Sequence, residues 1–324
     1  MRKKQKMLKK LTTLTLATAA MTATWMLPDT TQAWHDEGHY YAAMAATQNL
    51  PDDFPAFFKD GVKTIAHLSI DPDVMKSRAT PQLTNLESSE HYMDIEFIGN
   101  RKLPKTRYEF YKLCEELDLS PTKVGTAPYA ITEWTQRLTT AFSEYRKSPD
   151  NPHIQMKCLI YAGILSHYSA DMKMPLHTSI HHNGYVHEDG SITQKGIHAK
   201  IDSLPSKLSF NQIFKEKLAP LASEDDVFTF TVDELHKSNS YVKQAYELEP
   251  KMPATRDLDL YDKDVIAFTV DRERAAAWFT ASLYLSAWEN SKKMEVPFWL
   301  DRDLFDNQFD PDKVPDKQKA ESAK

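Results

Sequence analysis

Apolar residues recur at the spacing of an amphipathic helix along most of the chain. This periodicity predicts helices over residues 38–48, 55–68, 105–117, 127–147, 152–171, 211–218, 232–248 and 264–290. Residues 181–196 are predicted to form a loop, because Asn183-Gly184 and Asp189-Gly190 are turn signals. The chain has only 8 glycines and few β-branched runs, which argues against a sheet protein. Since there is no internal repeat and no long linker, we expect an all-α fold with a single compact multi-helix domain.

The N-terminal 33 residues have the order of features of a secretory signal. A basic head precedes an apolar run over residues 11–26, and Thr31-Gln32-Ala33 offers small residues at a cleavage site. The apolar run is shorter than the ~20 residues that a membrane-spanning helix needs. We therefore expect cleavage after Ala33, a secreted or periplasmic protein, one folded domain over residues 34–305 and a polar tail over residues 306–324.

The charge balance limits which partners the mature chain can bind. The whole chain has 40 Lys and Arg against 46 Asp and Glu, and removal of residues 1–33 leaves 34 against 45, a net charge of −11. A broad basic footprint for duplex nucleic acid is therefore absent. An acidic protein that acts on phosphates needs metal ions or a local basic patch to offset the repulsion. Cys114 and Cys158 could form one disulfide in an exported protein or remain as two buried thiols.

The strongest local motif is His167-x-x-x-Asp171-x-x-x-Pro175-Leu176-His177. His167 and Asp171 are four residues apart on a predicted helix, so they share one face. Pro175 ends the helix, and His177 follows from the loop. Imidazole and carboxylate at this spacing are ordinary zinc ligands. The alternative is a structural His–Asp pair within the helix, with an unrelated histidine nearby.

Further groups of potential ligands lie elsewhere in the chain: His198-x-x-x-Asp202, Asp71-x-Asp73 followed by Glu90-His91, and Trp34-x-x-x-x-His39. Each group also has a structural interpretation, as a solvated helix turn, a helix-starting turn or a packed terminal residue. Cleavage after Ala33 would give Trp34 a free amine that can chelate a metal with its own carbonyl oxygen. Taken together, the candidates suffice for three zinc sites with one shared carboxylate. Catalytic zinc sites keep a position open for water, and this set leaves such positions.

In this order, the motifs resemble those of the zinc-dependent fungal single-strand nucleases called nuclease S-one and nuclease P-one. These nucleases belong to a superfamily with the bacterial zinc-dependent phospholipases C. The shared pattern is an N-terminal Trp, a His five residues later, an Asp, a His, then H-x-x-x-D-x-x-x-P-L-H and H-x-x-x-D. It spans residues 34–202 of this chain. The resemblance implies the all-α fold of that superfamily and three zinc ions per chain.

The resemblance also implies how the ligands are divided among the metals. One zinc would be held by Asp73, His91, His167 and Asp171. A second would be held by Trp34, His39 and Asp171, so that Asp171 bridges the two. The third would be held by His177, His198 and Asp202.

Two departures from the family pattern concern the substrate rather than the metals. The nucleases usually have Arg where Lys76 stands, and a lysine supplies charge to a phosphate without a bidentate fork. In the family, the basic residue stands three positions after the ligand Asp. Lys76 stands three positions after Asp73, so Asp73 is preferred to Asp71 as the ligand. The nucleases also tend to have Asn where this chain has Gly196.

The predicted activity is metal-assisted hydrolysis of a phosphodiester. A water shared by two zinc ions would become the nucleophile, while Asp73 and Asp171 hold the metals and Lys76 stabilises the developing charge. The resemblance favours an endonuclease that acts on single-stranded DNA or RNA and leaves 5′-phosphates. Tyr92 and Phe97 could stack a base or pack in the core.

The alternative within the superfamily is a phospholipase C that acts on phospholipid head groups. The short Trp34–His39 gap and the closing Asp202 favour a nuclease. Glu37 favours a phospholipase, because those enzymes place a choline-binding Glu at that position. A rival of another class is a secreted protein in which zinc only holds helices together. No obligate protein partner is predicted.

Overall fold

The computed structural model describes residues 36–255 and 258–295. In this part of the chain, fourteen α-helices surround a buried apolar core. Their bounds are α1 Asp36–Gln48, α2 Ala56–Asp60, α3 Val62–Leu68, α4 Asp71–Met75, α5 Pro81–Glu90, α6 Arg107–Glu116, α7 Pro121–Val124, α8 Ala127–Lys147, α9 Pro152–Asp171, α10 Ile197–Asp202, α11 Phe210–Ile213, α12 Val227–Asn239, α13 Val242–Leu248 and α14 Lys263–Asn290. The predicted all-α fold class is confirmed.

The predicted loop over residues 181–196 contains the described residues' only sheet, a two-stranded antiparallel hairpin. Strand β1 is Tyr185–Val186 and strand β2 is Ile192–Thr193, with Tyr185 paired to Thr193. The signal segment and the polar tail predicted for residues 1–33 and 306–324 lie outside the described residues. None of the helices within residues 36–255 and 258–295 has the length and apolar character needed to cross a bilayer.

Helix α9 is the central element of the core. Its residues from Cys158 to Asp171 are mostly buried, because α1, α3, α8 and α14 pack around it. Helices α3 and α9 can approach closely because residue 163 is a glycine. An added Cβ at Gly163 would lie 2.4 Å from the Cβ of Leu68. On another side, Ala42, Ala170 and Ala276 form a small-residue contact between α1, α9 and α14. A helix that is apolar on nearly all sides is suited to this central position.

Several predicted helices have different bounds in the structure. The helix predicted over residues 55–68 is two helices, because the chain bends at Gly61, where an added Cβ would meet Leu159 at 2.5 Å. The helix predicted over residues 232–248 begins earlier, at Val227, because the Asp226 carboxylate caps it by accepting a hydrogen bond from the Thr229 amide. This predicted helix is also interrupted after Asn239, so that it forms two helices. The one predicted over 211–218 is a four-residue helix.

The two cysteines do not form a disulfide. Cys114 on α6 and Cys158 on α9 are both free and fully buried in the main apolar cluster. Burial raises the pKa of the Cys158 thiol to about 12. Both therefore act as small apolar side chains of the core.

Candidate metal centre

The candidate ligands come from separate helices whose ends meet beside the last turn of α9. That turn carries His167 and Asp171 on one face. Of the other candidates, His39 lies in α1, Asp73 in α4, His91 at the C-cap of α5, His177 in a 3₁₀ turn over Pro175–Thr178, and His198 and Asp202 in α10.

Histidine and aspartate atoms gather in three sets, in each of which the potential ligand atoms lie within 4.8 Å of one another. The sets are His39, His167 and Asp171; Asp73, His91 and His167; and His177, His198 and Asp202. Every member is buried except Asp73, which is half-buried. The structure thus brings together all the preferred candidate ligands that it describes, from His39 to Asp202.

Asp171 is the point at which the sets adjoin. Its Oδ1 lies 3.3 Å from His39 Nε2 and 3.7 Å from His177 Nδ1. Its Oδ2 lies 2.8 Å from His91 Nδ1 and 3.3 Å from His167 Nε2. The two oxygens therefore face different histidines, which is the arrangement of a carboxylate that bridges two cations.

Backbone carbonyls fix the orientation of three of the imidazoles. A carbonyl can only accept a hydrogen bond, so Nδ1 of each ring is the donor: His167 to Ser69 at 2.7 Å, His177 to His91 at 2.8 Å, and His198 to His182 at 3.0 Å. In the neutral rings, Nε2 then carries a lone pair. Such outer contacts are typical of histidines that bind metal through the other nitrogen.

The Nε2 atoms of two of these rings lie close together. His177 Nε2 lies 3.2 Å from His198 Nε2, which in turn lies 3.2 Å from Asp202 Oδ2. Neither carboxylate oxygen of Asp202 has a hydrogen-bond partner, although the side chain is buried. The Nδ1 atom of His39 and the Nε2 atom of His91 are also buried without a partner. Unpaired buried acceptors are costly, so a bound cation fits these residues better than the residues alone.

Burial keeps the imidazoles in the neutral form that binds metal. It lowers the pKa of His39 and His177 and takes that of His198 well below its usual range. Burial, with the nearby Lys76 ammonium, lowers the pKa of His91 to about 3. His167 differs, because the charges of Asp171 and Asp73 together outweigh its burial and raise its pKa.

The three carboxyl groups divide into two kinds. Burial opposes ionisation of Asp171, but His167, His177 and His39 outweigh it and hold its pKa well below the usual range. Burial also opposes ionisation of Asp73, but the charges of His167 and Lys76 outweigh it and lower the pKa of Asp73 to about 2. Burial and the charge of Asp171 raise the pKa of Asp202 well above its usual range. A cation bound there would therefore have to displace a proton.

Lys76 lies at the rim of the second set. As the C-cap of α4, it places its ammonium nitrogen 2.5 Å from Asp73 Oδ1, with 19% of the side chain exposed. Asp71, the alternative to Asp73, is half-buried at the start of the same helix and belongs to none of the three sets. The Lys76 ammonium thus adds a positive charge beside the least buried member of the three sets.

The candidate substrate-binding residues other than Lys76 lie in different surroundings. Tyr92 is half-buried, and its phenol donates to the Thr122 carbonyl at 2.5 Å. Phe97 packs against the main core cluster, with the Lys123 ammonium 4.9 Å from its ring centre. Glu37 is half-buried in the first turn of α1, and its Oε2 has no hydrogen-bond partner. Trp34 lies outside the described residues.

Asp94 is a titratable group beside the centre that the sequence interpretation missed. It is buried, its Oδ1 has no partner, and burial followed by the charge of Glu96 raises its pKa to about 7. Met93 forms a β-bridge with Gly125, and neighbours on either side of an extended residue point the same way. Tyr92 and Asp94 therefore share a side. The alternation of polar and apolar residues after His91 could have indicated this extended segment from the sequence.

An ion-pair cluster holds α5 behind His91. The Arg107 guanidinium donates to both oxygens of Glu90, at 2.5 and 2.9 Å, and to both oxygens of Glu133, at 2.9 and 3.0 Å. Thr126 donates to Glu90 at 3.0 Å. Glu90 is the last residue of α5, so this cluster fixes the position of the next residue, His91.

The fold and the centre define a class: a helical protein with three adjoining histidine–carboxylate sets that could hold metal ions. No protein-family model matches the chain, and no curated protein matches it either. The chain is similar to the solved alpha toxin of Clostridium absonum, with 10% identity and a TM-score of 0.41, over 88% of this chain and 66% of the toxin. It is also similar to the alpha-toxin of an avian Clostridium perfringens strain, SWCP, with 12% identity and a TM-score of 0.36, over 82% of this chain and 66% of that toxin. The chain thus spans about two thirds of the length of each toxin.

If Asp171 bridges two cations, Asp171→Asn should reduce bound metal by more than one ion per chain, because both cations lose a charged ligand. His198→Ala should lose mainly one ion, since only one set contains it. Elemental analysis of protein never exposed to chelator measures both. Asp233→Asn and His236→Ala, at exposed positions on α12, are the matched controls and should keep the full content. Wild-type metal content in Asp171→Asn would show that the His167–Asp171 pair is only structural.

Proposed function

We propose that this chain is a zinc-dependent phosphodiesterase that binds three zinc ions. The observation that carries the proposal is the Asp171 carboxylate, whose two oxygens face different histidines within one buried centre. Imidazole and carboxylate donors suit zinc. In the proposed arrangement, Asp73, His91, His167 and Asp171 hold one ion, Trp34, His39 and Asp171 a second, and His177, His198 and Asp202 the third.

A catalytic role is favoured over a purely structural one. Structural zinc sites are closed and commonly rich in thiolate. This chain has two cysteines, and both lie in the apolar core. The second set also lies next to the surface, since Lys76, which contacts Asp73, has 19% of its side chain exposed.

Bound zinc would supply a Lewis acid and lower the pKa of water towards neutral. The side chains of this protein have three further tasks. Asp171 and Asp73 remain ionised and offset metal charge, as their lowered pKa values indicate. The Lys76 ammonium lies where it can attract the phosphate and stabilise the charge that develops on its oxygens. Burial favours the neutral form of His177 and His198, and backbone carbonyls fix both of these rings and that of His167, so that this part of the centre is ordered before the substrate binds.

Single-stranded nucleic acid is the substrate class that we propose. Tyr92 and Asp94 lie on one side of the extended segment that follows His91, and Asp94 has an unpartnered oxygen. An aromatic ring beside a carboxyl group suits an unpaired base, which can stack on the ring and hydrogen-bond through its edge. A phospholipid head group is the second candidate, because the unpartnered Oε2 of Glu37 suits a cationic head group.

Export is part of the proposal. The N-terminal signal would place the protein outside the cytoplasm and release Trp34 as the first residue. The free thiols of Cys114 and Cys158 are compatible with export, because both are buried.

A paired assay separates the two substrate classes. The exported protein should release acid-soluble nucleotides from single-stranded DNA and RNA, and a chelator should abolish the release because the metals supply the nucleophile. Glu37→Gln should leave this rate unchanged. Chelator-sensitive hydrolysis of a phosphatidylcholine analogue alone, lowered by Glu37→Gln, would instead identify a phospholipase. Hydrolysis of neither substrate would contradict the phosphodiesterase proposal.

The proposed role of Trp34 can be tested by blocking its amine. A chain made in the cytoplasm with an additional Met before Trp34 has an amide there, which is a poor ligand. It should fold, retain part of its zinc and lose activity by orders of magnitude. Protease trimming back to Trp34 should restore the activity. An equally long extension at the C-terminus is the control and should have no effect. Equal activity before and after trimming would show that Trp34 is no ligand.

A further inference from the structure

A pocket without acidic side chains opens on one face of α5. It has a volume of about 370 Å³, far more than the roughly 30 Å³ that one water occupies in the liquid. This α5 pocket is lined mainly by Arg78, Thr84, Asn85, Ser88, Ser89 and Thr122. By contrast, a pocket on α13 and α14 is lined by three acidic residues, Glu247, Asp264 and Asp271. In a chain with 46 acidic and 40 basic residues, the lining of the α5 pocket thus offers an anion no like charge.

Two side chains of the α5 pocket keep their hydrogen-bond donors free. Neither Arg78 nor Asn85 forms a side-chain hydrogen bond or ion pair with another of the described residues. The hydroxyls of Thr84, Ser88 and Ser89 instead donate to backbone carbonyls of α5 or of the turn before it, at 2.5 to 3.0 Å. The Arg78 guanidinium presents a planar fork of N–H groups that matches two oxygens of one phosphate. Its single positive charge balances the single negative charge of a phosphodiester.

The α5 pocket is tied to the second set of ligands at two points of the chain. Arg78 follows Lys76 by two residues, and the Lys76 ammonium contacts Asp73 of that set. Ser89 precedes His91 by two residues. Two residues of extended chain span at most about 7 Å between Cα atoms. The backbone that forms the pocket therefore starts beside Lys76 and ends beside His91.

The wall of the α5 pocket on α7 contacts the proposed base-binding residue. Thr122 lines the pocket, and its carbonyl accepts the hydrogen bond of the Tyr92 phenol at 2.5 Å. Within a nucleic acid strand, each nucleoside is joined to one phosphate on either side. A nucleoside whose base stacks on Tyr92, with one phosphate at the metals, would therefore have its other phosphate free to enter a pocket beside Tyr92.

We propose that the α5 pocket binds the phosphodiester that flanks the scissile one, with Arg78 as the group that contacts it. This inference rests on the proposed nuclease function and adds a second phosphate subsite to it. A contact of this kind gives affinity for a strand without a broad basic surface, which this acidic chain lacks. Because a phosphate contact carries no base information, the preference for substrates with at least two phosphodiesters should not depend on their bases.

The test compares a trinucleotide, which has two phosphodiesters, with two analogues in which one or the other is a neutral, uncleavable methylphosphonate. Arg78→Ala should raise KM for the trinucleotide roughly two- to tenfold, as expected for the loss of one exposed charge-assisted contact. Wild type and Arg78→Ala should cleave both analogues equally, because neither analogue has a charged flanking phosphate. All variants should keep the wild-type zinc content.

The salt dependence of KM gives an independent measure of the contact. In Arg78→Ala, the slope of log KM for the trinucleotide against log salt concentration should fall by about 0.7, because one phosphate fewer is neutralised. Arg78→Lys should keep the wild-type slope with an intermediate KM, since it retains the charge but not the fork. Arg137→Ala, at an exposed arginine on α8 that does not line the α5 pocket, is the matched control and should keep the wild-type KM and slope.

An unchanged KM for the trinucleotide in Arg78→Ala would overturn the phosphate subsite but leave the nuclease proposal intact. An equal loss for the trinucleotide and both analogues would also overturn it, because Arg78 would then act elsewhere than on a flanking phosphate. Weaker hydrolysis of a phosphatidylcholine analogue in anionic vesicles by that variant, with trinucleotide cleavage unchanged, would assign Arg78 to a lipid phosphate and overturn it too. If wild type does not cleave the trinucleotide, the proposed function and the subsite both fail.

Discussion

A fully buried carboxylate at the end of α9 sets the main constraint on this structure. Asp171 is ionised because His167, His177 and His39 surround it, and none of its atoms reaches solvent. A buried charge without compensation costs several kcal/mol, so the neighbouring groups have to be cationic or bind cations. Burial lowers the pKa of His39 and His177, which disfavours their charged forms, whereas the pKa of His167 is raised. The proposed metal ions would complete this compensation, and the remaining elements position the candidate ligands.

Three features of the helix packing bring these ligands together. Gly163 lets α3 approach α9, which places the Ser69 carbonyl against His167. Arg107, shared between Glu90 and Glu133, fixes the end of α5 at which His91 lies. Small residues between α1 and α14 bring His39 to the same place. Outer contacts of this kind commonly determine how strongly a metal is bound. Substitutions behind the centre should therefore weaken it without touching a ligand.

The sequence predicted the parts of this arrangement that are local along the chain. The spacing of His167 and Asp171 on one helical face, the end of that helix before Pro175, and the long helices α8, α9 and α14 all follow from periodicity. The break at Gly61 was not predictable, because it depends on Leu159 from another helix. Helices α4 and α5 were missed, since α5 is largely polar and lacks an apolar period. The grouping of distant ligands came from family resemblance, and the raised pKa of Asp94 depends on burial that only the fold supplies.

The central claim is that Asp171 joins two of three metal sites in one buried centre. Anomalous diffraction at the zinc absorption edge, from crystals of exported protein never exposed to chelator, tests it directly. We expect three peaks per chain. Two should flank the Asp171 carboxylate, each at the distance of a zinc–oxygen bond, about 2.0–2.2 Å, and the third should lie among His177, His198 and Asp202. A single peak, or peaks that leave Asp171 without a metal neighbour, would contradict the account.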